Sequence, residues 1–254
     1  MPLTPLGWFG SVLLFGVPSL VFTFFLFVVM PSAMARGATP FQGFHAGFMA
    51  PLALMLAAAF IAYRMEGRPL TWTGIRDRFR LDRPDRGTWL WTAALVAWLI
   101  LWMEILPFNG MLRGAFDWVR FYDHPAGYAA FMSGLTDGET QILGLPFSWG
   151  LLLYYLLGLF VFNILGEELW WRGYILPRQE LAFGARTWII HGTLWTLFHF
   201  FYHTNLGILI SYLPTTLGIA YVCQRTRNTW PGIIGHMVSN MVLPLFMLSR
   251  LLAR

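Results

Sequence analysis

Three short stretches hold the side chains with which this chain could do chemistry. They are Glu167-Glu168-Leu169-Trp170-Trp171-Arg172; Trp195-Thr196-Leu197-Phe198-His199, followed by His203; and His236-Met237-Val238-Ser239-Asn240. On a helix, Glu168 and Arg172 stand four residues apart with the acid first, the better orientation for an ion pair, so the two should neutralise each other. Glu167 is turned by about 100° from Glu168 and points away from that arginine. An acid without a cationic partner in apolar surroundings is the kind from which a general base is made. His236 and Asn240 share a helix face one turn apart, and both can donate to a developing oxyanion if the histidine tautomer is suitable. His199 could then share a water or a proton with Glu167.

The elements that must position these residues are membrane helices. Of 254 residues, 57% are hydrophobic and 11% charged, with a mean hydropathy of +0.58. Soluble domains carry about a quarter charged residues, so these values exclude a water-soluble globule, a coiled coil and a disordered chain. With about 20 apolar residues needed to cross a bilayer, charges and prolines divide the sequence into seven spans: about 8–30, 44–63, 88–106, 147–165, 188–202, 206–222 and 231–248. The expected fold is all-α, a polytopic transmembrane bundle of about seven helices, six to eight, with a cavity inside it. It reads as one integral-membrane domain. Residues 1–146 supply the first spans, a basic loop and an amphipathic outer loop, and 147–254 supply the core that bears the polar motifs. The first span is too long for a signal-peptide core and is read as retained.

Charge sets the expected orientation. The loop 64–86 holds seven arginines against Glu66, Asp77, Asp82 and Asp85 and should lie in the cytoplasm. Alternation from it puts the N-terminus inside, together with Arg178, Arg186, Arg225 and Arg227. The acidic stretch 107–146, rich in aromatics such as Trp118, Tyr128 and Phe131, should rest on the outer interface. Arg250 and Arg254 end the chain on that outer side, against the rule. All 17 basic residues are arginine, a bias read as genomic base composition that points to a prokaryotic cytoplasmic membrane. No basic stripe of the kind that binds nucleic acid is present. Cys223, alone in the chain, reads as a small core residue.

The three motifs resemble those of the CPBP family of intramembrane proteases, which includes CAAX proteases and bacteriocin-processing enzymes. That family carries Glu-Glu-x-x-x-Arg, Phe-x-x-x-His and His-x-x-x-Asn on separate helices, in this order. Here they read EELWWR, WTLFH and HMVSN. Trp195 stands where phenylalanine is usual, an aromatic exchange taken as a packing change. The resemblance covers roughly residues 151–248 and implies a glutamate-dependent endopeptidase. In it Glu167 and His199 activate a water, His236 and Asn240 hold the oxyanion, and Glu168 and Arg172 support the site. It also implies a cavity opening to the cytosolic side, a peptide or membrane-protein substrate met in the lipid bilayer, and no cofactor.

Blander and rival readings accompany it. Glu168 and Arg172 alone could be an ion pair at a helix end, and a lone intramembrane histidine is most often an interhelical hydrogen-bonding group. His199 and His203 have the spacing of a metal pair, and a metal-dependent variant would draw on His199, Glu167 and His236, but His-Glu-x-x-His is lacking. A non-proteolytic interaction or immunity protein on the same fold would keep its function without these side chains. A proton-coupled transporter would show polar residues in both halves, whereas here they are confined to the second.

Overall fold

Helices follow the apolar runs, and side chains of the expected type start several of them. The computed structural model describes residues 3–105, 108–124 and 141–253, so the expectation for Tyr128 and Phe131 falls outside the described residues. Helix α1 runs over Trp8–Ala35 and α2 over Pro40–Met65. A capping box opens α2: Thr39 accepts from the Gln42 amide while the Gln42 side chain accepts from the Thr39 N–H. A short α3 covers Trp72–Arg78 within the basic loop. Asp85 then caps α4 (Arg86–Met103), and α5 occupies Phe108–Phe116. A two-stranded hairpin, β1 (Gln141–Ile142) and β2 (Leu145–Pro146), pairs Ile142 with Leu145. Beyond it come α6 (149–183), α7 (187–201), α8 (Leu206–Thr226), α9 (Trp230–Ser239) and α10 (Val242–Leu252).

Among the described residues, four helical runs are long and apolar enough to cross a membrane, and up to six if each bent pair counts as one span. The longest, Trp149–Phe201, has 53 residues and would extend about 80 Å if straight. It is not straight: Gly184 turns the chain at φ +59°, a conformation open to a residue without Cβ. The run therefore contributes two legs, α6 and α7, and a bundle of about seven spans results.

Two spans differ from the sequence expectation. The fourth does not stop at 165 but continues to 183, because Glu168 and Arg172 neutralise each other inside the bundle. Pro177 lies within this helix and has no N–H for the carbonyl of Gly173, four residues back. Arg78 supplies the missing donor, its Nη1 lying 2.7 Å from that oxygen. The last span is not continuous: α9 and α10 meet at a bend of 55°. Pro244 cannot bond the carbonyl of Asn240, and the Asn240 side chain bonds the backbone itself.

Hydrogen bonds sort the connections onto two ends of the bundle. Leu6 N–H donates to the Arg178 carbonyl, Arg80 pairs with Glu180, and Thr229 N–H donates to the Arg80 carbonyl. The N-terminal segment, the basic loop, the α6–α7 turn and the α8–α9 turn thus share one end. At the other, Phe121 N–H donates to Thr204 and Leu206 N–H to Val119, fastening the 119–121 segment to the α7–α8 turn.

Candidate active site in the bundle

Glu167 lies midway along α6 and is 3% exposed. Three donors hold its carboxylate. Asn163 Nδ2, one turn earlier, reaches Oε1 at 3.2 Å, and Trp171 Nε1, one turn later, reaches Oε2 at 3.1 Å. Trp195 Nε1, from α7, reaches the same Oε2 at 3.1 Å. No cation pairs with this acid among the described residues. The helix is also wound unusually here: Gly166–Glu168 is flanked by wide π-type turns over Leu159–Leu165 and Leu169–Ile175, a winding that recurs at functional sites.

Glu168 faces a different neighbourhood. Its Oε1 accepts from Arg172 Nη1 at 2.8 Å and from His236 Nδ1 at 3.0 Å, joining α6 to α9. Both members of the Glu168–Arg172 pair are completely buried. The Arg172 guanidinium carbon lies 3.6 Å from the centroid of the Trp195 ring, a cation–π contact in a dry setting. Gly232 lets α9 approach closely, since a Cβ there would stand 2.3 Å from Glu168 Oε2.

The histidine contacts decide which nitrogens can react. His199 Nδ1 lies 2.8 Å from the Trp195 carbonyl, which only accepts, so Nδ1 carries the proton. Nε2 of the neutral ring is then the lone-pair nitrogen. His236 donates through Nδ1 to Glu168, so its Nε2 is a donor only when both ring nitrogens carry a proton. Asn240 spends one N–H on the His236 carbonyl at 3.0 Å and retains a second.

Glu167, His199, His203, His236 and Asn240 line one cavity of about 390 Å³. Glu168 and Arg172 do not line it; they lie behind His236 and Trp195. Two further polar residues not singled out from the sequence, and a third read there only as packing, also belong here. Asn163 and Tyr212 line the cavity, and Trp195, taken as packing, donates to Glu167. An amide four residues before an intramembrane acid is a signal that depth alone should have raised for Asn163. For Trp195 the signal is that a buried indole N–H requires an acceptor.

Aromatic and aliphatic side chains form the remaining wall. Phe41 and Phe44 come from the start of α2, Leu143 from the hairpin, Tyr154 from the start of α6, and Phe201 and Tyr202 from the end of α7. All lie toward the end opposite the basic loop. The sequence expectation was of a cavity opening on the basic loop's side. That expectation took Glu167 to lie just past the end of a helix, whereas it is 16 residues short of the end of α6. The proposed metal set, Glu167, His199 and His236, reaches the same cavity, yet no group of three His, Cys, Asp or Glu side chains among the described residues is spaced to hold an ion.

The comparisons with known proteins address the segment that bears this geometry. Residues 148–242 match the Rce1-like family, type II CAAX prenyl endopeptidases. The Rce1-like segment contains all three motifs, from Glu167 to Asn240, and agrees with the CPBP resemblance. It supports a membrane-embedded peptidase of the CAAX-protease kind. Neither the curated proteins nor the solved structures yielded a match.

Proposed function

We propose that the chain is an intramembrane endopeptidase in which Glu167, assisted by His199, activates a water against a peptide bond of a membrane-associated peptide or protein. The observation that carries this reading is the convergence of Glu167, His199, His236 and Asn240, from three helices, on one cavity inside an apolar bundle.

Each step has a residue of suitable chemistry. Water attacks the scissile carbonyl carbon and gives its proton to the Glu167 carboxylate, with Nε2 of neutral His199 available to orient or share that proton. The resulting oxyanion accepts from the second Asn240 N–H and from His236 when its Nε2 carries a proton. Collapse breaks the C–N bond as the proton on Glu167 passes to the leaving amine. No cofactor is required by this sequence of steps. The aromatic wall suits a substrate with an apolar flank next to the scissile bond.

The test is turnover by purified protein in lipid nanodiscs on membrane-anchored peptides, with and without a C-terminal lipid, read by mass spectrometry. Glu167→Gln should reduce turnover by about 10²–10⁴-fold with the unfolding midpoint unchanged. Full activity in that variant overturns the assignment of the base. Activity that survives chelators supports the glutamate route, and activity lost to chelation and restored by zinc supports the metal-dependent one.

A further inference from the structure

Trp195 and Trp171 do something for Glu167 that a phenylalanine in either place could not. Both indole nitrogens lie 3.1 Å from the same oxygen, Oε2. Both rings are fully buried. Each is fixed from a second side: Trp171 stacks on Phe15 with ring centroids 4.4 Å apart and an interplanar angle of 5°, and Trp195 carries Arg172 on its face. The donors approach from two helices, so the pair fixes the carboxylate against rotation about its last bond as well as its position. Among the described residues Oε1 has a single donor, Asn163 at 3.2 Å, and Asn163 is itself a cavity residue.

Resting on the reading of Glu167 as the base, we propose that Trp195 is a positioning residue for it. With Trp171 it saturates Oε2, and Oε1 is the oxygen that takes the proton from water. The exchange of phenylalanine for tryptophan at 195 is then a gain of a hydrogen-bond donor rather than a change of packing. Trp195 also touches the rest of the site: its carbonyl orients His199, and its ring meets His236 edge-on at 5.4 Å. One residue thereby sets the relation among the acid, both histidines and the buried arginine.

Trp195→Phe keeps an aromatic ring beneath Arg172 and deletes only the donor and part of the ring. Losing one hydrogen bond to a charged group that fixes a reacting atom should lower kcat by about 10–100-fold while KM stays within about twofold, because no substrate-binding surface is removed. Wild-type kcat in Trp195→Phe overturns the proposal, as does a loss confined to KM. Indole ¹⁵N–¹H resonances of labelled protein in detergent micelles give a readout that needs no change at either tryptophan. Glu167→Gln should shift two of the thirteen indole signals, one of which disappears in Trp195→Phe. If Glu167→Gln moves none of them, the indole pair does not hold this carboxylate. If it moves two signals yet turns over at the wild-type rate, the assignment of Glu167 as base is what fails. The two failures are thus told apart.

Discussion

Two buried arginines, one at each depth of the molecule, are treated in opposite ways. Arg78, at the basic-loop end, is closed off. It donates to both oxygens of Glu66 at 2.6 and 2.7 Å and to the carbonyls of Gly173 and Tyr174 at 2.7 and 3.3 Å. Arg172, beside the cavity, makes one contact to Glu168 and lies on a tryptophan face, while its Nε and Nη2 have no hydrogen-bond partner among the described residues. Glu168 Oε2 is likewise without one. A fully satisfied network at low dielectric fixes a structure, whereas partial satisfaction has a cost that selection tolerates where chemistry needs the group. The first arginine clamps α6 where Pro177 interrupts it, and the second sets the charge balance behind the cavity.

The comparison predicts different effects on turnover. Arg172→Met should leave His236 and Trp195 misplaced and reduce kcat by about 10²-fold, and because it leaves Glu168 buried without its cation it should also cost about 3–5 kcal/mol of stability. Retention of wild-type kcat by that variant would break the contrast. Arg78→Met should cost stability alone. It takes two hydrogen bonds from Glu66, which keeps Arg68 as a partner, and the donors from two helix carbonyls, costs about 1–3 kcal/mol of stability, and leaves turnover per folded molecule within about threefold. Thermal unfolding in nanodiscs with parallel kinetics separates the two, and an Arg78 variant as stable as wild type would refute the clamp.

A smaller effect sharpens the picture of Glu168. In Gly232→Ala the new Cβ meets Glu168 Oε2 and approaches Cys223 Sγ, so the helices must separate at a cost of about 1–3 kcal/mol. Its kcat should fall with its stability, since displaced Glu168 no longer orients His236. Stability loss with intact kcat would show that the Glu168–His236 contact is dispensable.

The smallest expected effect is a pH dependence at the basic-loop end. Burial works against ionisation of Glu66, but its hydrogen bonds and charge interactions with Arg78 and Arg68 outweigh this and hold the carboxyl below its ordinary value of 4.5. A depressed native pKa means that the unfolded chain binds more protons. The Glu66 contribution is therefore complete above 4.5 and is lost as pH falls below it through the native value. The unfolding midpoint should drop over that range in wild type and drop less in Glu66→Gln. Identical slopes would remove Glu66 from the account.

Much of the bundle was legible because lipid imposes a coarse rule: apolar runs must be helices, and charges mark their ends. The starts at Thr39, Asp85 and Ser148 obey local capping chemistry and were readable to within a few residues. What the rule missed are places where polar groups satisfy each other inside the bundle. The helix through Glu168 and Arg172 ran on because its charges cancel, and the last helix broke because Asn240 and Pro244 disrupt the same turn. At the site, the motif residues that line the cavity were in view from their spacing. Asn163 and Trp195 were not, because their contribution depends on which way one amide and one indole point between two helices. Spacing along one chain does not contain that information.

The central claim is that a water activated by Glu167 attacks the peptide bond directly. Rapid-quench turnover in H₂¹⁸O, followed by mass spectrometry of both peptide and protein, tests it most closely. The account predicts one ¹⁸O in the newly formed carboxyl terminus, no acylated protein at any time point, and loss of both cleavage and label in Glu167→Gln. An acyl-protein intermediate that forms and decays at the turnover rate, or undiminished label in Glu167→Gln, would contradict it.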